Sequence, residues 1–417
     1  MGRRRVGILG LVFVVGVWWS GEALGEVTTE RSASILVFPK VLANGTRDTI
    51  IQISNTSNSL VRAHCFYVNG ALLDPTQPQG PLNPPLWQEV DFDIVLTKQQ
   101  PTHWTVSEGR RVNPLDEPCG PGNSDCDDAG FDPGLVPPVV PDFTGELKCV
   151  EVDASGAPVA GNHLKGEATL VTLGSGDVSK YNAIGILGTN NNGDGTLVLG
   201  GGQCAGGGAL QGAVCTSDEQ CGESAPCAIE YNACPQTWIV NHQADGSPSL
   251  ALEDMLANGS GSGGGNGNSS EVFTELTVVP CTQNFETQVP TSVTLQFLTT
   301  NEFESQFSVS TTVTCWGSFF LHETGASALT FSGTGLPDPQ GTMFLKTKIR
   351  PAAGTPFGVA LVAEEFHLKG VGSPSGGLVN PFEIDADEMA AAAFNPHHEG
   401  LRPTPDLITI PAEQLVP

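Results

Sequence analysis

The sequence predicts an all-β protein. Apolar and polar residues alternate with a period of two along many short segments, as half-buried strands require. Gly (51) and Pro (31) are abundant among the 417 residues while only 15% are charged, a mix that suits short strands joined by turns. All eleven Cys lie downstream of an N-terminal export signal, where an oxidising compartment turns them into disulfides.

The signal has three parts. Arg3, Arg4 and Arg5 are the positive n-region, Val6 to Trp19 the apolar h-region, and Ala23-Leu24-Gly25 a small-x-small cleavage site. The apolar run falls short of the ~20 residues that span a bilayer, and no later stretch approaches that length, so no membrane span is expected. The formal net charge of −27 opposes contact with nucleic acid and favours cations or basic surfaces. Secretion, the cell surface and the periplasm are the expected destinations.

Residues 26–111 read as a first β-sandwich. In Thr49-Ile50-Ile51-Gln52-Ile53-Ser54 the residues Ile51 and Ile53 share one face. Asn55-Thr56-Ser57-Asn58 is turn chemistry. Beyond it Val61, Ala63, Cys65 and Tyr67 form another inward row, and Phe92, Ile94 and Leu96 a third. Residues 112–142 are rich in Pro and Asp and read as a linker, because Pro cannot donate to a ladder. Residues 143–368 read as a second β-domain, with strands at Leu147 to Val152, His163 to Leu173, Val272 to Val279, Val293 to Leu298, Phe307 to Cys315, Met343 to Ile349 and Val359 to Phe366. A Cys- and Gly-rich insertion at about 200–272 interrupts it, including the Gly/Ser/Asn run Asn258 to Ser270, which offers nothing to bury. The architecture expected is therefore two β-sandwich, immunoglobulin-like domains. In the tail, 369–417, a capping box of Asp385 and Glu388 predicts a short helix through Phe394.

The disulfide candidates are Cys119 with Cys126 in the linker, the block Cys204, Cys215, Cys221, Cys227 and Cys234, and Cys281 with Cys315. The last two end neighbouring late strands, which predicts a bond between them. The alternative is a bond from Cys281 to the 204–234 block, with Cys315 left on its strand. Cys215-Thr216-Ser217-Asp218-Glu219-Gln220-Cys221, followed by Cys227, resembles a short Cys-rich repeat of uncharacterised exported bacterial β-rich proteins, and Ile35 to Asn69, Asp91 to Arg110 and Gly145 to Val171 resemble other stretches of such exported proteins. The resemblance implies export and carries no activity with it.

No catalytic constellation stands out. Gly201 occupies the place where an EF-hand loop beginning at Asn190 needs Glu, so Asn190 to Gly195 reads as a turn. Asp125, Asp127, Asp128 and Asp132 supply oxygen ligands that suit calcium, weighed against a solvated acidic loop. His322-Glu323 lacks the second His of a zinc H-E-x-x-H, and His397-His398 are adjacent on the chain, so they point apart. Trp87, Trp104, Trp238 and Trp316 are read as packing anchors rather than a sugar platform. Asn44, Asn55, Asn258 and Asn268 head glycosylation sequons that double as turns. The reading is an exported protein with a structural, surface or binding role, its partner an extracellular protein or glycan and no cofactor required. A polysaccharide hydrolase or a calcium-dependent adhesion module is the alternative.

Cleavage after Gly25 makes Glu26 the first residue of the exported chain. N-terminal sequencing of exported material checks this, and a membrane-bound form that retains Met1 contradicts it.

Overall fold

The structure, a computed structural model, describes residues 27–77, 79–80, 82–110, 135–174, 178–189, 197–204, 209–210, 214–215, 218–222, 227–231, 234–235, 237–248, 271–281, 292–324, 343–352, 358–368, 392–394 and 397–398. Among these residues the regular elements are β-strands and two 3-10 turns, Asp218–Cys221 and Leu321–Thr324, and all the strand pairs are antiparallel. No helix among them is long and apolar enough to cross a membrane.

The first sheet comprises β1 (Val27–Thr28), β2 (Ile35–Ala43), β3 (Arg47–Asn55), β4 (Val61–Asn69), β5 (Gln88–Leu96), β6 (Pro101–Thr105), β7 (Phe143–Val152), β8 (Leu164–Thr172), β9 (Val178–Asn182) and β10 (Ile184–Ile186). Its order is β5-β4-β7-β2-β3-β8-β9, with β6 on β3, β10 on β2 and β1 on β10. Between β2 and β3 the register holds a single pair, Ala43 with Asp48, so the sheet folds over there. Leu36, Cys65 and Leu147 of one half then share a core with Ile51, Ile53, Trp104 and Leu170 of the other. The result is a sandwich. Its core carries a disulfide between Cys65 and Cys149, which face each other across β4 and β7.

A small sheet follows, formed by β11 (Gly188–Thr189), β12 (Leu197–Cys204), β13 (Val214–Cys215) and β14 (Cys227–Tyr231), with Cys204 bonded to Cys221. The second sandwich contains β15 (Trp238–Gln243), β16 (Ser247–Pro248), β17 (Glu271–Pro280), β18 (Ser292–Asn301), β19 (Gln306–Thr314), β20 (Gly317–Phe320), β21 (Phe344–Pro351), β22 (Val359–Leu368), β23 (Ala392–Phe394) and β24 (His397–His398). One of its sheets runs β19-β18-β21-β15-β24; the other runs β16-β17-β22-β23, with β20 on β17. Trp238, Val240, Leu295, Phe297 and Ile349 of the former meet Leu276, Val278 and Leu361 of the latter.

Three expectations need correction. β7 and β8, expected to open the second domain at residue 143, instead complete the first sheet: β7 is the central strand between β4 and β2, and β8 pairs with β3 along nine residues. The physical reason is that β2 buries both faces along its whole length and β4 does so from Cys65 to Asn69, so both need a shared partner to satisfy their backbone groups. Ala392 to Phe394, expected within a helix, form a strand on the edge of β22, whose ladder is open there; residues 385–391 lie outside the described residues. Cys281 is bonded to Cys234, not Cys315, which follows β19 of the facing sheet. Cys281 and Cys234 instead flank one backbone position, Gly358, whose carbonyl accepts from the Cys281 amide. A Cβ at Gly358 would stand 2.0 Å from the Cys234 carbonyl oxygen, so only glycine lets these chains approach. Cys315 is buried at a tight turn of its own, with φ +62° and the Trp316 amide donating to the Thr314 carbonyl.

That turn drives Trp316 into the first sandwich. Its ring lies against Gly70, where a Cβ would meet Trp316 at 2.6 Å, and its indole N–H donates to the Pro39 carbonyl at 2.7 Å. Pro39 and Lys40 form a bulge, with three steps on β2 set against two on β7. A bulge tolerates Pro and re-aims the residue beside it. Tyr181 of β9 holds the bulge by donating to the Lys40 carbonyl at 2.6 Å. Lys40, only 2% exposed, thereby leaves its own core and meets Glu364 of β22 at 2.6 Å and Glu275 of β17. Arg47 adds a second cation on Glu364, one contact at 3.0 Å, and Ser179 donates to the same carboxylate at 2.6 Å. Burial alone would push the Glu364 carboxyl up, but Lys40 and Arg47 outweigh it and hold the group at about 2.

A carboxylate lowered in this way contributes stability that is complete above the unfolded value near 4.5 and is lost as pH falls from there towards 2. Glu364→Gln leaves two buried cations short of charge and is expected to destabilise the protein by about 3–5 kcal/mol. Denaturant unfolding at pH 7 and pH 3 checks both statements: the gap between wild type and variant should shrink at the lower pH, and a pH-independent gap contradicts the assignment.

Candidate functional site

The sheet β19-β18-β21-β15 turns one face to the core and the other outward, and period-two alternation decides which residue goes where. Leu345, Thr347 and Ile349 of β21 point in; Phe344, Lys346, Lys348 and Arg350 point out. At one end the outer face dips into an open cleft of about 690 Å³. Amides of Asn241, Gln243 and Asn301 line it together with Lys346, Lys348, Glu302 and Glu365, and Phe344 and Leu298 supply apolar surface, 52% and 38% exposed.

Local interactions hold this lining in place. Asn301 closes the β18–β19 hairpin, its side-chain oxygen accepting from the Phe303 and Ser305 amides at 3.0 and 2.9 Å. Glu302, next along, accepts from the Met343 and Phe344 amides at 2.7 and 3.3 Å, which ties the hairpin to the start of β21 and positions Phe344. Glu365 accepts from His367 at 2.9 Å. Below the lining His242 is buried and its protonation follows from its partners. Nδ1 faces the Gln243 carbonyl at 2.8 Å, an acceptor, so Nδ1 carries the proton. Nε2 then accepts from Thr347 at 2.8 Å, and Thr347 accepts from Thr299 at 2.9 Å. Burial lowers the pKa of His242, in keeping with a neutral ring.

Asp245 lies two residues beyond Gln243 and is fully buried. It accepts from the Thr274 amide at 2.9 Å, the His322 amide at 3.0 Å and His322 Nδ1 at 2.8 Å. His322 opens outward from the 3-10 turn Leu321–Thr324, 37% exposed, and stacks on Phe320 with Phe273 edge-on. Burial would lower its pKa, but the hydrogen bond and charge of Asp245, with Glu323 beside it, raise it. Such a ring can donate a proton or meet an anion.

The sequence pointed elsewhere. Asp125, Asp127, Asp128, Asp132, Cys119, Cys126 and Asn190 to Asn192 lie outside the described residues, as do Gly193 to Gly195 and Asn258 to Ser270. Among the described residues no group of three or more His, Cys, Asp or Glu side chains is arranged to hold a metal ion. Trp104, Trp238 and Trp316 are buried with their indole N–H groups satisfied, and Trp87 packs half-buried against the core, as expected of anchors. Asn55 is buried and donates to three carbonyls, so its sequon is a turn device. His397 and His398 pair with Ile239 and Trp238 as a short strand. Sequence reasoning missed the cleft, whose residues span 241 to 365, and the Asp245–His322 pair, 77 positions apart. It also missed the Cys65–Cys149 bond. Its signal was present, since both Cys stand at inward positions of alternating strands.

Asp245→Asn removes the charge that holds the His322 proton, so the imidazole should titrate at lower pH than in the wild type, where it lies above about 6.5. The raised value also means that the pair stabilises the fold below about pH 6.5 and that this contribution is lost as pH rises through the folded-state value. NMR titration of the ring protons measures both chains, and identical curves contradict the pairing.

Comparison of the chain with protein-family models, with curated proteins and with solved structures returns no match, so the geometry of the cleft and its surroundings carries the functional argument.

Proposed function

We propose that this is an exported, extracytoplasmic binding protein whose cleft takes a stretch of polysaccharide. Export is supported by the leader pattern at residues 1–25 and by the three disulfides among the described residues. The carrying observation is the make-up of the cleft. It is open, it lies on the outer side of a sheet, and it sets planar amides and ions beside the exposed ring of Phe344. A chain of sugars presents hydroxyls to the former and C–H faces to the latter, and an open cleft leaves room for a polymer larger than the cleft itself.

The hydrolase reading has one observation in its favour, that two carboxylates, Glu302 and Glu365, border the same cleft. Both are already engaged by protein donors, Glu302 by two backbone amides and Glu365 by His367. A general acid must aim a carboxyl oxygen at the leaving group, and both Glu302 oxygens are turned onto backbone amides instead. Binding is therefore the better account.

Affinity electrophoresis and calorimetry against neutral and acidic soluble polysaccharides test the proposal. At least one class should bind and be released as intact chains. Phe344→Ala should weaken that binding about tenfold, equivalent to about 1.4 kcal/mol, and leave the unfolding midpoint unchanged because the ring is half exposed. Release of shortened chains moves the protein to the hydrolases, and failure to bind any polysaccharide sinks the proposal.

A further inference from the structure

The outer face around the cleft is the exception to the charge of the whole chain. Asp and Glu outnumber Lys and Arg by 45 to 18, yet the outward positions of β15, β18, β19 and β21 hold no carboxylate. They hold Lys346, Lys348 and Arg350 instead. These occupy alternate positions of one strand, ~7 Å apart along it, so they form a straight row. The register surrounds the row with neutral hydrogen-bonding groups: Lys346 lies between Asn241 and Thr300, and Arg350 beside Gln296. Farther out the face is a field of hydroxyls, with Thr294 bonded to Thr312 and Ser292 to Thr314 across the β18–β19 ladder. Glu302, at the rim, has its oxygens turned onto backbone amides.

From this we infer that the polymer is anionic: a polysaccharide carrying carboxylate or sulfate groups along its length, with its charges on the row and its hydroxyls on the flanking amides, serines and threonines. The inference rests on the polysaccharide reading and adds the chemical class. At physiological ionic strength a charge beyond about 8 Å is largely screened, so a ligand lying on this face meets the row ahead of the distant acidic surface, with Glu302 and Glu365 at the border of the cleft. The acidic surface of a second copy is the competing occupant. A protein interface of that kind needs an apolar, desolvated centre, and this face offers scattered Leu298, Ile239 and Phe344 among hydroxyls.

The experiment uses the full exported chain and four probes: a polyuronate, the same polymer with its carboxyls esterified, a sulfated polysaccharide and single-stranded DNA. Binding of the polyuronate or the sulfated polymer is expected, with the esterified polymer at least tenfold weaker; the relative affinities of the first two identify the anion. Lys346→Gln/Arg350→Gln should lose at least tenfold in affinity for the preferred polymer and show a shallower dependence on salt, with an unchanged unfolding midpoint. Equal binding of the esterified polymer overturns the inference and leaves the polysaccharide reading standing; absence of all polysaccharide binding ends both. Two further results overturn the inference: DNA bound as tightly as the polysaccharides, or a salt-sensitive dimer in sedimentation that disappears in the double variant.

Discussion

The ion cluster of Lys40, Arg47, Glu275 and Glu364 is the constraint on which the relation between the two sandwiches depends. Two cations come from the first and two anions from the second, so neither half can bury its own charges without the other. An unpaired ion in a dry interior costs several kcal/mol, whereas the matched set is close to balanced. Its contribution is therefore geometric: few arrangements of β22 against β2 neutralise all four groups. Trp316 on Pro39 and Gly70 supplies the apolar part of the same contact.

The cleft follows from that docking. One face of β17 and β22 is committed to the first sandwich through Glu275 and Glu364, and the opposite face, through Leu276, Val278 and Leu361, packs the sheet that carries the cleft. That sheet is thus covered on one side, and the alternation along β21 delivers Lys346, Lys348 and Arg350 to the other. A change of one residue in register would bury the three cations and expose Leu345, Thr347 and Ile349. The strands that build the site are fixed by their hydrophobic partners, and the site itself is what those partners leave outside.

How much of this was legible in the sequence depends on range. Inward rows such as Val61, Ala63, Cys65 and Tyr67, or Phe92, Ile94 and Leu96, were readable because a strand writes its faces into consecutive residues. Pairing between strands was not. Nothing near Phe143 to Val152 announces that this strand inserts between β4 and β2, so composition alone suggested a new domain after the Pro-rich stretch. The same holds for Cys281, whose strand end suggested Cys315 until sheet membership placed it beside Gly358 and Cys234. Lys40 and Glu364 lie 324 positions apart, so nothing local in the sequence couples them. The row on β21 stood in full view as Lys346-Thr347-Lys348-Ile349-Arg350, but its meaning came from the neutral neighbours that three other strands set around it.

The central position of β7 also orders events in time. β2 and β4 are made first and can associate with nothing that satisfies both until Phe143 to Val152 follows, and β1 and β2 wait for Ile184 to Ile186 to join them. The Cys65–Cys149 bond, 84 positions in span, belongs to the same late step. Partners so far apart in sequence make closure of the loop the slow stage of folding. The first sandwich therefore cannot close while synthesis withholds its middle strand, and its disulfide can seal only after that strand is in place.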